Sequence, residues 1–414
     1  MEKFEVALLI LGEVLEQRIP FNIATKNIFN KENIAKSDRG EIAGLVGCEL
    51  RHHILFLEIV KTELGFQGEF NSAPILLAMA NHLFYKKFDQ NEINKFVCNR
   101  FDLSLDKFTG FLDNLSSRES LVPEKYPKGS EQYLSLRFNT PTWLVKMWLK
   151  HYGRGFLYKI LKSNYRQPTP TFTYIGDINY ISLPSDFVIE DDLVKYVGQG
   201  NVRSQELYNN ERFILFKPAL KEIIKNTEIH PYSNVAIFEA FSSNFYLDFI
   251  YNNLENHLNI EAITSSVSLY MDMKKRISAF NFPNVNLYEA NPGEFITCLS
   301  EKVDLFVLLP KNSNFDLLKT TPDYFHLFER NTLDMLISEQ IFALEEAKEC
   351  VNVGGQILYI IPTLNKKESR QVIMDFLLNN PTFSLLEERQ YFPFEKGESS
   401  LYFARLVKME NDDD

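Results

Sequence analysis

Cysteine is scarce: four residues in 414, at positions 48, 98, 298 and 350. No two of them stand at metal-ligand spacing, so no metal site is expected. Their scatter also argues against a disulfide framework and suits a reducing compartment. No apolar run approaches the roughly 18 residues a membrane-spanning helix requires. Residues 6–11 are far too short. The N-terminus lacks the basic flank, apolar core and small-residue cleavage site of a secretory signal. A cytoplasmic protein with no membrane partner is therefore expected. Net charge is −11, unfavourable for binding nucleic acid over the whole surface.

One long stretch also lacks acid. Residues 132–176 contain neither Asp nor Glu, yet carry Arg137, Lys146, Lys150, Arg154, Lys159, Lys162 and Arg166. A basic patch confined to one segment of an acidic chain implies one oriented face, which is the electrostatic footprint of an RNA binder. The same pattern would also suit an ordinary solvated helix face.

Along the chain, apolar residues recur at helical spacing in residues 4–15, 42–57, 75–84 and 108–115. Ser37-Asp38 reads as a helix start. Two prolines and a glycine in residues 122–130 mark a boundary. Thr140 is placed as an N-cap with Pro141 in the first helical turn, and Lys146 and Lys150 share a face. Pro168 and Pro170 stop the helical region, and short strands are expected at residues 171–175 and 180–183. From Lys217 onward helix and strand alternate. Strands are expected at residues 235–240, 260–264, 285–289, 303–309 and 356–361, the order of right-handed βαβ units in a mostly parallel sheet. A closing strand at 401–407 follows a turn at Glu395-Lys396-Gly397 and should pair antiparallel. No internal repeat is evident.

The run Val303 to Leu309, ended by Pro310, reads as a buried strand. It leads into a polar loop at the sheet edge where α/β folds bind ligands. An adenosyl cofactor there would need a glycine-rich turn after the first strand and an acidic residue ending the second. The first strand runs into Glu239-Ala240-Phe241-Ser242-Ser243-Asn244 with no glycine, and the second ends on Thr264 with no carboxylate. Asn291 could reach a base edge or simply serve a turn. Ser313 has no histidine partner in sequence, and His326 reads as a surface or core residue. Gly354-Gly355 reads as a tight turn before a strand. Cys298 and Cys350 read as inert thiols on amphipathic helices, and Met271 and Met273 as packing residues.

The order of elements and several motifs resemble the bacterial 16S rRNA cytosine-C5 methyltransferases of the Sun/Fmu type. The resemblance covers nearly the whole chain. It rests on Ser37-Asp38-Arg39-Gly40 with Glu49-Leu50-Arg51, on Gly110-Phe111-Leu112, on Pro141 to Gly153 with Trp143, Leu144 and Trp148, and on Asn164 to Pro170. Thr321-Pro322-Asp323, Gln340, Gly354-Gly355 and the run from Pro393 through Gly397 to Leu406 continue it. It implies a multidomain chain. Residues 1–128 would form an all-α NusB-like RNA-binding domain and 129–213 a small basic α+β linker domain. Residues 214–408 would form an α/β Rossmann-like class I methyltransferase domain, ahead of an acidic tail at 409–414. It also implies S-adenosylmethionine as the family cofactor, and ribosomal RNA or a ribosomal subunit as partner.

The family's chemical residues are replaced. Its cysteine positions fall on Asn312 and Pro362, and its cofactor positions on Ser243, Asn244, Thr264, Asn291 and Leu309. Its Arg-x-Asn in the small domain becomes Tyr174-Ile175-Gly176. In the family one cysteine adds to C6 of cytosine and the other assists release. Covalent catalysis needs an activatable nucleophile, and an amide and a proline ring supply none. Each lost bond to a charged group forfeits roughly 1.5–3 kcal/mol. The expectation is a monomeric RNA-binding relative with neither methyl transfer nor bound cofactor. An active methyltransferase using S-adenosylmethionine through displaced residues, and a protein-interaction scaffold, are the alternatives.

Overall fold

The computed structural model describes residues 2–66, 68, 71–166, 168–200, 202–239, 243–395 and 399–410. The chain forms two compact units, Met1–Arg166 with Leu317–Glu329, and Gln167–Asp316 with Arg330–Asp414.

The first unit is helical. Its elements are α1 (Glu2–Glu16), α2 (Phe21–Lys31), α3 (Lys36–Leu50), α4 (His53–Ile59), α5 (Ala73–Ala80), α6 (Gln90–Phe101), α7 (Leu105–Ser117), α8 (Glu131–Arg137) and α9 (Thr142–Asn164). Every residue of α5, Ala-Pro-Ile-Leu-Leu-Ala-Met-Ala, is buried, as a helix apolar all round must be. The expected run over residues 42–57 breaks at Arg51-His52. Asn139, in a left-handed conformation (φ 47°), bridges the break. Its amide donates to the Leu50 carbonyl and its oxygen accepts from the Ile54 N–H, both at 2.9 Å. One side chain thus satisfies the end of one helix and the start of the next.

Two starts differ from expectation. Helix α3 begins at Lys36, which leaves Asp38 in the first turn beside the positive end of the helix. Thr140 is not the N-cap of α9. Pro141 takes that position without a side-chain bond, and the buried Thr140 hydroxyl turns back to the Phe138 carbonyl at 3.0 Å.

The second unit opens with an antiparallel sheet of β1 (Thr171–Tyr174), β2 (Phe187–Glu190), β3 (Leu193–Tyr196) and β4 (Phe213–Leu215), ordered β2-β3-β1-β4. The strand expected at residues 180–183 is absent. The Asp177 carboxylate accepts the Asn179 N–H at 2.9 Å and folds that stretch into a 3-10 turn, Ile178–Tyr180.

The rest is an open α/β layer. It comprises α10 (Pro218–Asn226), β5 (Asn234–Glu239), α11 (Ser243–Asn252), β6 (Asn259–Thr264), α12 (Val267–Phe280), β7 (Val285–Glu289), α13 (Phe295–Cys298), β8 (Val303–Leu309), α15 (Thr332–Cys350), β9 (Val351–Ile361), α16 (Arg370–Asn379), β10 (Phe383–Tyr391) and β11 (Leu401–Lys408). The remaining one-turn helix, α14 (Tyr324–Leu327), lies in the segment that belongs to the helical unit. Strand order is β10-β11-β9-β8-β5-β6-β7; β5 through β9 pair in parallel and β11 runs antiparallel to both neighbours. This is the expected Rossmann-like sheet, and strand order reverses between β5 and β8. Both faces are covered. Val235 and Ile237 pack in one layer while Ala236 and Phe238 pack in the other.

Gly354-Gly355 is not a turn ahead of a strand but lies inside β9. The pairing with β8 slips there, and Gly354 has φ 78°. A side chain at Gly355 would sit 3.1 Å from the Asp304 carbonyl, so the bulge requires glycine. Met273 is fully buried as expected, but Met271 is 62% exposed. Two residues apart on a helix, they point to opposite sides. The turn residues Lys396 and Gly397 and the tail at 411–414 lie outside the described residues.

Candidate functional site

Ligands of such sheets bind outside the carboxyl ends of the strands, beside the switch point. Residues 240–242, which follow β5, lie outside the described residues, as does the Ser243 side chain. Just beyond them Tyr246 of α11 fills the space between the ends of β5 and β6. Its hydroxyl accepts the Glu239 N–H at 2.8 Å and donates to the Ile263 carbonyl. The ring is fully buried, which pushes the phenol well above its ordinary pKa, with the nearby Glu239 adding to the shift.

The remaining family positions are occupied otherwise. Asn244 donates to the Leu215 carbonyl at 2.8 Å. Thr264 is buried, and its hydroxyl accepts the Ser266 N–H at 3.3 Å. Leu309 belongs to the core. Asn291 forms a turn in which its N–H bonds Glu294 at 2.8 Å. It also borders a cavity of about 210 Å³ with Phe238, Ser265, Lys311, Glu339 and Phe342. Small-molecule pockets usually begin near 300 Å³. Among the described residues the end of β6 presents no carboxylate for a ribose. Among the described residues, the space between the ends of β5 and β6 is taken by the packed Tyr246 ring.

The two loops that follow β8 and β9 meet on a buried carboxylate. Glu368 is wholly inaccessible. Its Oε1 accepts the Ser313 N–H at 2.7 Å and the Gln340 amide at 3.3 Å. Its Oε2 accepts the Thr363 hydroxyl and the Asn365 amide, both at 3.1 Å. The Ser313 and Thr363 hydroxyls are 2.9 Å apart, and Gln340 also donates to the Lys311 carbonyl at 2.9 Å. Asn312 turns inward, donating to the Pro310 carbonyl at 3.0 Å and accepting the Asn314 N–H at 2.6 Å. Ser313 is therefore a structural hydroxyl. Nothing in the sequence signalled Glu368, because Asn365-Lys366-Lys367-Glu368 reads as a charged surface turn.

The loop after β8 does not stay polar and open throughout. From Leu317 it belongs to the helical unit. Asp323 there accepts the Phe21 N–H at 2.7 Å and caps α2, which gives a structural role to a residue carried by the resemblance. His326 is half-buried, its ring 4.5 Å from that of the buried His53, itself 2.6 Å from Glu49. Burial, then His53 and Arg18, lower its pKa to about 3. His53 and His326 edge a cavity of about 670 Å³ in the helical unit, also bordered by Lys61, Phe66, Tyr126 and Asn139.

Cys350 is buried, whereas Cys298 is half-buried. Burial raises Cys298, pushes Cys48 up to about 11 and pushes Cys350 up to about 12.

All seven predicted basic residues are exposed, and all lie in the helical unit, on α8, α9 and the turn after it. Gly153 (φ 75°) kinks α9 between Lys150 and Arg154. Lys146 lies 3.7 Å from Glu131, and Arg154 reaches the Gly129 carbonyl. Lys150, Lys162 and Arg166 have no ion-pair partner among the described residues. The charges are visible in the sequence, whereas the exposure of the rings between them, Phe156, Tyr158 and Tyr165, emerges only in the fold.

No protein-family model and no curated protein matches this chain. Solved structures do. The chain is similar to a protein designated PH0851, with TM-score 0.73 and 15% identity over 99% of each chain. It is also similar to a methyltransferase homolog protein from Pyrococcus horikoshii, with TM-score 0.56 and 15% identity over 69% of this chain and 100% of that one. A third similarity is to NSun6 from Pyrococcus horikoshii, solved with SFG, with TM-score 0.53 and 12% identity over 66% of this chain and 99% of that one. At these identities the likeness is one of fold: a helical N-terminal part and a seven-stranded Rossmann-like methyltransferase sheet.

Proposed function

We propose that this chain binds RNA, ribosomal RNA first of all, through the basic face of its helical unit. On this reading it derives from an RNA cytosine-C5 methyltransferase and has lost the transfer chemistry. The Glu368 network carries the second half of the reading. The two loops whose family counterparts bear cysteines are tied to each other through a buried carboxylate, and Asn312 and Pro362 stand at the cysteine positions. No thiolate is present there to attack a pyrimidine. The Tyr246 plug and the small cavity argue in the same direction against S-adenosylmethionine.

For the first half, the acid-free segment and its exposed cations supply phosphate contacts on an otherwise acidic protein. Counterion release then makes affinity fall with salt. The test pairs two measurements on the 414-residue chain. Calorimetry with S-adenosylmethionine should give no heat at micromolar concentrations. Filter binding of ribosomal RNA fragments should weaken steeply between low and high salt. Tritium transferred from the methyl donor to cytosine in ribosomal RNA would overturn the loss of chemistry. RNA affinity that is absent or indifferent to salt would overturn the binding role and favour a protein scaffold.

A further inference from the structure

The basic face carries an ordered set of aromatic rings. Beyond the Gly153 kink, α9 repeats at helical spacing: Arg154, Tyr158 and Lys162 lie four apart, and Tyr165 and Arg166 complete the row. Tyr158 and Tyr165 are 43% and 45% exposed. Both rings lean edge-on against the buried Phe138, at 5.8 and 6.1 Å. The Arg137 guanidinium lies over Phe138 at 5.6 Å. On its other side the Tyr165 hydroxyl bonds His52 Nε2 at 2.7 Å, and His52 stacks on Phe84 at 4.1 Å with ring planes 11° apart. Phe84 is again 43% exposed.

Tyr158, Phe138, Tyr165, His52 and Phe84 therefore form an unbroken chain of ring contacts. The rings at its two ends and middle open to solvent, and cations flank it. His52 is held in place, since Nδ1 also bonds the Cys48 carbonyl at 2.8 Å. Large rings cost apolar surface when left exposed, and one on a surface needs no reason. Three joined through Phe138 and His52, interleaved with Arg and Lys, match the pattern of single-strand binders, where base faces stack on rings and phosphates meet cations.

We infer that this track holds single-stranded RNA, with bases on Tyr158, Tyr165 and Phe84 and phosphates on Arg154, Lys162 and Arg166. A duplex would waste it. Paired bases hide their faces, and duplex RNA is read through shape, 2′-hydroxyls and phosphates instead. The inference rests on the RNA-binding reading above and narrows its substrate to unpaired segments.

Fluorescence anisotropy on the full chain tests it, with oligoadenylate as the probe and the same strand annealed to oligouridylate as the competitor. The single strand should bind at least tenfold tighter. Tyr158→Ala and Phe84→Ala should each weaken it about tenfold with an unchanged salt slope, and Tyr158→Trp should retain affinity. Lys162→Glu should weaken both probes and flatten the slope. Thermal unfolding of each variant controls for misfolding. Equal affinity for strand and duplex, or ring variants that bind as the parent does, overturns the track while leaving RNA binding standing. If neither probe binds in a salt-dependent way, the RNA reading itself falls.

Discussion

At the scale of single residues, Glu368 ties the two loops at the sheet edge together. Four donors from three segments converge on it with no access to water. Truncating it strands those donors, and each buried unsatisfied group costs roughly 1–3 kcal/mol. Glu368→Ala should therefore lower stability by about 3 kcal/mol or more, read as a shift in urea midpoint. An unchanged midpoint would mean that water replaces the carboxylate and the loops are not tied. A second substitution tests chemistry. Asn312→Cys with Pro362→Cys restores the family's sulfur atoms but not its cofactor space, since Tyr246 remains bonded across β5 and β6. The double variant should stay inactive in a tritium-transfer assay on ribosomal RNA. Activity in it would show that only the thiols had been missing.

At the scale of elements, the sheet was legible because buried parallel strands are written as short apolar runs. The run at residues 285–289 and the strand Val303–Leu309 have the bounds expected of them. Strand β10, Phe-Ser-Leu-Leu-Glu-Glu-Arg-Gln-Tyr, was missed because an edge strand with one wet face carries charge and mimics an amphipathic helix. The division of residues 42–57 into two helices was also invisible. Its cause, Asn139, lies more than eighty positions away. Substitution at Asn139 therefore probes an element boundary. Asn139→Ala removes two helix-end bonds and leaves an alanine at positive φ, so a loss of about 2–3 kcal/mol is expected. Asn139→Gly removes the bonds without the backbone strain and should cost about 1 kcal/mol less. Equal losses for the two would show that the left-handed conformation carries no strain. The candidate site was half legible for the same reason. Missing cysteines and missing acids are visible one residue at a time, whereas the Tyr246 plug and the ring track exist only after folding.

At the scale of the whole molecule, acid should act in two opposing ways. Net charge is −11 near neutrality, so protonating carboxylates relieves self-repulsion and favours the compact state. Against this stands His326, whose folded pKa lies near 3 because of burial first, then His53 and Arg18. Glu49, paired with His53, and Glu329, paired with Arg18, occupy the neighbouring charges. An unfolded histidine titrates near 6.5. Below that pH the unfolded chain gains a proton that the folded chain refuses, so the unfolded state binds more protons and stability falls with pH. The contribution is complete above about pH 6.5 and is lost progressively down to about pH 3, amounting to roughly 2 kcal/mol at pH 5. His52, also lowered by burial, pulls the same way. Urea unfolding at pH 7.5 and pH 5 should show a lower midpoint in acid. His326→Phe should remove most of the difference, because an apolar ring has nothing to titrate while the carboxylates remain. If acid instead raises the midpoint of the parent, relief of charge repulsion governs this chain; if the variant stays equally acid-sensitive, groups other than His326 set its response to acid.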